Sequence, residues 1–263
     1  MLVQETAVEK ICASLQQDPF VKAVFLKGSM GRNEHDEHSD VDLYCLVDKE
    51  DEEQFLLKRI EHLEAYRSII FQDDIFIIAP QIIAVYDDLL HIDLFTVTLE
   101  NFTEKDYFKV LYDPHHLLDN FSETQGLELS EAEYRDAVID VAWFLFQYKK
   151  AAARGNDIWA TRMLTNVMEH LARVLLHRYA PNRAQLGLKT ISHSLPAAVL
   201  TVVEEISKDI TPRGHRIAAF RICRLALDES DWIKENLKDG TQAELLLEKM
   251  IAFQLDLNKR KSR

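Results

Sequence analysis

The segment from Val21 to Val47 constrains this chain more than any other. An apolar run, Val21-Lys22-Ala23-Val24-Phe25-Leu26, reads as a buried strand. Gly28-Ser29-Met30-Gly31-Arg32 follows, and then Ser39-Asp40-Val41-Asp42-Leu43 opens a second apolar run that ends at Val47. Side chains alternate across a strand, so Asp40 and Asp42 share one face. Two carboxylates side by side repel, and a divalent cation removes that cost. The glycines and serine just ahead of them let backbone approach a ligand closely and offer N–H groups to phosphate oxygens. A phosphate cradle joined to a metal-binding acid pair is the minimum equipment for chemistry on a nucleoside triphosphate.

A third carboxylate lies downstream in His91-Ile92-Asp93-Leu94-Phe95. Asp93 is flanked by apolar residues within a predicted strand, where an unpaired charge is costly. A metal-binding or proton-transfer role accounts for it if that strand lies beside Asp40 and Asp42. A turn cap or a buried arginine partner is the structural alternative.

Hydrophobic periodicity divides the chain in two. The first part mixes helix and strand signals: helices over 4–16 and 51–65, and strands over 21–26, 41–47, 67–71, 75–78, 82–86 and 90–97. Asp87-Asp88 fits a hairpin turn between the last two strands, and residues 104–110 read as a short helix. The segment 113–130, with Pro114, Asn120 and Gly126, reads as a linker. Beyond it the strand signals nearly vanish. Ser130 and Glu133 have capping-box spacing ahead of a helix to about Ala153. Asp157 can cap the next, to about Arg178, and shorter helices fit 196–208, 213–227, 231–238 and 241–257. The expected fold is α+β: a small mixed-sheet domain over 1–120 followed by an all-helical bundle over 121–263.

The net charge of −13 disfavours nucleic acid as a main partner. Residues 1–120 hold 25 Asp and Glu against 10 Lys and Arg, a net of −15, whereas 121–263 hold 19 against 21, a net of +2. An acidic domain that binds a polyanionic nucleotide needs metal ions to do so, and it attracts a cationic acceptor. Cys12, Cys45 and Cys223 are odd in number and widely spaced, which fits no disulfide framework and suits a reducing cytoplasm. No apolar run is long enough to span a bilayer, and the N-terminus has no apolar signal core, so no membrane association is expected.

The pattern Gly28-Ser29 … Ser39-Asp40-Val41-Asp42-Leu43, preceded by a strand and followed by a strand acid, resembles the signature of the DNA-polymerase-beta-like nucleotidyltransferase superfamily. Within it, the layout is similar to bacterial antibiotic nucleotidyltransferases of the lincosamide and aminoglycoside kinds. Ala142-Trp143 … Lys149-Lys150 … Arg154-Gly155 … Trp159-Ala160 … Met163-Leu164 carries that second likeness. The resemblance implies that Gly28 and Ser29 hold the β- and γ-phosphates, with Arg32 and Ser39 at the nucleotide. It implies that Asp40 and Asp42 bind Mg²⁺, and that Asp93 is the third carboxylate, a metal ligand or the general base. Many relatives have glycine where this chain has Asn33, a residue that tolerates a left-handed backbone.

The activity so implied is transfer of a nucleoside monophosphate, AMP from ATP, to a hydroxyl of a small acceptor, with release of pyrophosphate. A lincosamide or aminoglycoside is the favoured acceptor, and a homodimer fits the family. The alternatives are an antitoxin-like enzyme that modifies a protein partner and a non-catalytic nucleotide-binding protein. Glu169 on the second long helix is a rival general base, and His170 beside it reads as a packing residue. Arg213, Arg216 and Arg224 read as a solvated face, and His35 and His38 form an HxxH loop pair without a second ligand pair. Tyr44, Trp143, Tyr148 and Trp159 suit either core packing or an acceptor pocket.

Overall fold

The computed structural model describes residues 2–102, 105–238 and 241–261, and the chain divides into two compact units, 1–126 and 127–263. The first unit runs α1 (Val3–Leu15), β1 (Val21–Leu26), α2 (Gly28–Gly31), β2 (Val41–Val47), α3 (Glu52–Leu56), α4 (Arg59–Glu64), β3 (Ile69–Phe76), β4 (Pro80–Tyr86), β5 (His91–Val97) and β6 (Lys109–Tyr112). The strands form one sheet in the order β3-β4-β5-β2-β1-β6. Only β2 and β5 pair in parallel; every other neighbouring pair is antiparallel.

Alternation along the strands builds two apolar layers. Val41, Leu43 and Cys45 of β2 join Ile92 and Leu94 of β5 in a core with Ala7, Ile11, Leu15, Phe55 and Leu63 of the helices. On the other face Tyr44 stacks between Phe25 at 5.1 Å and Phe95 at 4.4 Å. Asp42 and Asp93 are each two residues before a member of this aromatic stack, so they share its face. Burying these side chains, at roughly 25 cal/mol per Å² of apolar surface, holds the strands that carry the acids.

Three local features differ from what the periodicity suggests. The helix expected over 51–65 is two, because the buried Arg59 turns back and donates from Nε to the Leu56 carbonyl at 3.1 Å. Its Nη2 reaches Asp74 on β3 at 2.7 Å. Where two strands are expected over 67–71 and 75–78, the structure has one, Ile69–Phe76. Asp73 and Asp74 lie on an edge strand, where polar side chains stay in solvent and one of them meets Arg59. The helix expected over 104–110 is not formed among the described residues. Residue 104 lies outside them, and Lys109 and Val110 begin β6, which pairs with the free edge of β1. Local helical spacing yields there to an open sheet edge.

The second unit is helical: α5 (Glu131–Ala153), α6 (Asp157–Tyr179), α7 (Ile191–Ser194), α8 (Ala197–Asp209), α9 (His215–Asp228), α10 (Ser230–Asn236) and α11 (Thr241–Lys261). The Ser130 hydroxyl accepts from Glu133 N–H at 3.3 Å, and Ser130 N–H donates to the Glu133 carboxylate at 2.8 Å, a complete capping box. At α6 the cap is Asn156 rather than Asp157: the Asn156 side chain accepts from Trp159 N–H at 3.1 Å. Asp157 is thereby left to meet the buried His215 at 3.1 Å. Cys12, Cys45 and Cys223 are all free and buried. Among the described residues no helix is long and apolar enough to cross a membrane.

Candidate active site

The parallel pairing of β2 with β5 sets Asp42 opposite Asp93 and Val41 opposite Ile92. One step back along both strands, the same register brings Asp40 alongside His91. Ligand atoms of Asp40, His91 and Asp93 lie within 4.8 Å of one another. His91 Nε2 is 3.1 Å from Asp93 Oδ1, and Asp93 keeps only 13% of its side chain exposed. That contact raises the His91 pKa above its ordinary value; burial opposes the rise, and Asp93, Asp40 and Asp42 add to it as neighbouring charges. Three carboxylates and one imidazole thus occupy the start of two adjacent strands on one face.

Asp42 turns toward the turn that precedes it. Gly28 has a left-handed backbone, φ 61°, and a β-carbon placed on it would lie 1.9 Å from Asp42 Oδ2. Only glycine lets the carboxylate and the backbone approach so closely. Gly31 is confined too, because a β-carbon there would meet the carbonyl oxygens of Leu26 and Tyr107 at 2.8 and 2.9 Å. Between them, the Ser29 hydroxyl oxygen is buried with no protein hydrogen-bond partner. A buried polar atom without a partner favours a ligand that supplies one. Asn33 takes the left-handed conformation, φ 57°, that its place at the end of this turn requires.

The other expected site residues are engaged within the first unit. Both Asp106 oxygens accept from Arg32 Nη1 at 3.0 Å, and Glu34 accepts from Nε at 3.0 Å. The Ser39 hydroxyl closes a turn with Asp36, accepting from its N–H at 3.0 Å and lying 3.1 Å from its carboxylate. A cavity of about 570 Å³ opens beside this turn, lined by Gln4, His38, Ser39, Asp40, Leu90 and His91 among others. That volume lies in the range of small-molecule sites, roughly 300–1,000 Å³. His35 and His38 do not form a pair: His35 lies 3.5 Å from Glu5, and His38 lies 3.6 Å from Glu37.

Two residues that sequence reasoning left unassigned stand at the site. His91 had a signal, its two-residue spacing from Asp93, which places both on one face. Lys27 had none. It stands between β1 and α2, its N–H donates to the Asp42 carbonyl at 3.0 Å, and its Nζ donates to the Lys105 carbonyl at 3.1 Å. Burial lowers its pKa to about 8, against an opposing pull from Asp106.

Of the second-unit candidates, Glu169 is exposed on α6, His170 is partly buried 3.4 Å from Asp140, and Arg213, Arg216 and Arg224 are exposed. Tyr148 is core, its hydroxyl 3.0 Å from His215 Nδ1, whereas Trp143 and Trp159 are 45% and 53% exposed.

The donor set fits a divalent cation: hard carboxylates in register, a glycine that makes room for one of them, and a buried hydroxyl awaiting a partner. No curated protein matches the chain. An aminoglycoside 6-adenyltransferase from Bacillus subtilis superposes with a TM-score of 0.41 and 11% identity, covering 95% of this chain and 98% of that one. A nucleotidyltransferase-like protein from Exiguobacterium sibiricum 255-15 superposes with a TM-score of 0.41 and 11% identity, covering 98% and 91%. Both scores are low, so neither neighbour carries the assignment. The family model described as "Polymerase beta, Nucleotidyltransferase" matches residues 9–85, which include the glycine turn, Asp40 and Asp42. By that match, residues 9–85, the stretch of the first unit's mixed sheet that holds the glycine turn and both carboxylates, are similar to the polymerase beta nucleotidyltransferase family.

Proposed function

We propose that this protein transfers AMP from ATP to a hydroxyl group of a small acceptor, releasing pyrophosphate, and that the acceptor is a lincosamide or aminoglycoside antibiotic. One observation carries the reading: Asp42 and Asp93 are register partners on parallel strands, with Asp40 beside them and Gly28 shaped around Asp42.

Each residue has a distinct task. Gly28 and Ser29 hold the β- and γ-phosphates through backbone N–H groups and the buried hydroxyl. Asp40, Asp42 and Asp93 would hold Mg²⁺. When bound, the cation neutralises charge that develops on the α-phosphate and on the departing pyrophosphate. Asp93 also takes the proton of the attacking hydroxyl. Its Oδ1 is fixed by His91, so its remaining lone pairs keep one direction. The α-phosphorus to pyrophosphate-oxygen bond breaks as the bond to the acceptor oxygen forms.

The acceptor class is supported by the stretch from Ala142 to Leu164, which resembles antibiotic nucleotidyltransferases, and by the acidic balance of the first 120 residues, which attracts a cationic acceptor. The test is pyrophosphate release with Mg-ATP across a panel of lincosamides and aminoglycosides, with Asp42→Asn in parallel. Turnover with one antibiotic class, lost in the variant, is the expected result. Turnover with none of them, while Mg-ATP still binds, would remove the antibiotic and send the search to other acceptors, including a protein.

A further inference from the structure

We propose that His91 is a nitrogen ligand in the cation site, together with Asp40 and Asp93, and that it tilts the site from Mg²⁺ toward transition cations such as Co²⁺ and Zn²⁺. The inference rests on the reading above in one respect, that the acid cluster is a cation site; the identity of that cation is new.

Geometry is the first support. His91 Nε2 and Asp93 Oδ1 are 3.1 Å apart. Two adjacent ligands around an octahedral cation, each bonded at about 2.1 Å, stand roughly 3 Å from one another. The imidazole and the carboxylate are therefore already spaced as a shared cation would space them. A cation can take the place of the shared proton with little movement of either side chain. Asp40 completes the group within 4.8 Å. A shift of a few tenths of an ångström brings all three to a common centre, since opposite ligands of such a cation are about 4.2 Å apart.

The second support is what surrounds the cluster. His91 is anchored by β5, whose next residue, Ile92, is buried between the sheet and the helices. It lines the same cavity as Ser39 and Asp40. Asp42 lies opposite Asp93 on the paired strand, so His91 adds a nitrogen to a set otherwise made of carboxylate oxygens. Such a set has a chemical preference. Imidazole suits Zn²⁺ and the later divalent metals, whereas Mg²⁺ seeks oxygen and keeps its waters.

The experiment titrates the full-length protein with Co²⁺ alone, reads affinity by calorimetry, and measures Mg²⁺ by its displacement of Co²⁺. Proton NMR of the Co²⁺ form detects directly bound imidazole as a paramagnetically shifted ring N–H signal. Wild type is expected to show that signal and to bind Co²⁺ at least about tenfold more tightly than Mg²⁺. His91→Gln is expected to lose the signal and about 10- to 100-fold in Co²⁺ affinity, while Mg²⁺ changes by less than about threefold. Equal losses for both metals would overturn the inference and leave His91 as a positioning residue for Asp93. Co²⁺ binding without a shifted imidazole signal that depends on His91 would also overturn it and leave the cation-site reading intact. A folded wild-type protein that binds neither cation would overturn both.

Discussion

Gly28 and Asp42 form the tightest constraint in the site, and each explains the other. A methyl group at Gly28 would both collide with the Asp42 carboxylate and sit on a left-handed backbone. Gly28→Ala is therefore expected to cost about 1–3 kcal/mol of stability and to displace Asp42. Gly126→Ala, where a β-carbon meets nothing within 4 Å, is the control and should be near neutral. Denaturant unfolding of the two variants checks this, and equal stabilities would contradict it. At this scale much of the site was readable in the sequence. Asp40, Asp42 and the glycine turn follow from spacing alone, since two residues on a strand share a face. The role of Asp93 needed the register of β2 against β5, which no local pattern reveals. The ties of Arg32 to Asp106 and of Lys27 to the Lys105 carbonyl link positions more than 70 residues apart in sequence, and local reading cannot see them.

Elements succeed or fail on whether local propensity agrees with tertiary context. The long helices α5 and α6 read correctly because apolar stripes run along both and a capping box opens α5, although the cap of α6 is Asn156 and not the expected Asp157. Ser130→Ala removes one half of the capping box and is expected to cost about 1 kcal/mol. Thermal or urea unfolding followed by helical circular dichroism would show it, and an unchanged midpoint would contradict it. The break between α3 and α4 and the conversion of 109–112 to β6 were illegible for a common reason. A buried arginine in one case and an unpaired strand edge in the other outweigh periodicity. Lys27, just after β1, gives a pH test. Its folded pKa of about 8 lies below its ordinary value of 10.5. Between those values the unfolded chain binds more protons, so the Lys27 contribution to stability rises with pH across that window and is least favourable below it. Relative to Lys27→Met, wild type should gain stability between pH 7.5 and 10; parallel pH profiles from denaturant unfolding would refute this.

At the scale of the whole molecule, the two units have separate cores: among the described residues, two apolar layers on the sheet of the first and one cluster among the helices of the second. Among the described residues, the buried cluster of the helical unit runs from Leu129 to Ile251 and draws on none before 127. A fragment of residues 127–263 is therefore expected to fold alone, with a cooperative helical melt; an unstructured fragment would contradict that. In the sequence, strand signals stop where helical periodicity begins, and the expected boundary after 120 differs from the one after 126 between the compact units. What composition could not convey is that an acidic first unit gathers three of its many carboxylates on one face. That gathering is the central claim, and the fate of the α-phosphate tests it most directly. ATP labelled at the α-phosphate should pass its label to an acceptor while the β- and γ-phosphates leave together as pyrophosphate. Asp42→Asn and Asp93→Asn, shown to be folded, should each lose at least about a hundredfold in that transfer. Label that stays with the nucleotide in wild type across the acceptor panel, or variants that transfer as well as wild type, would contradict the account.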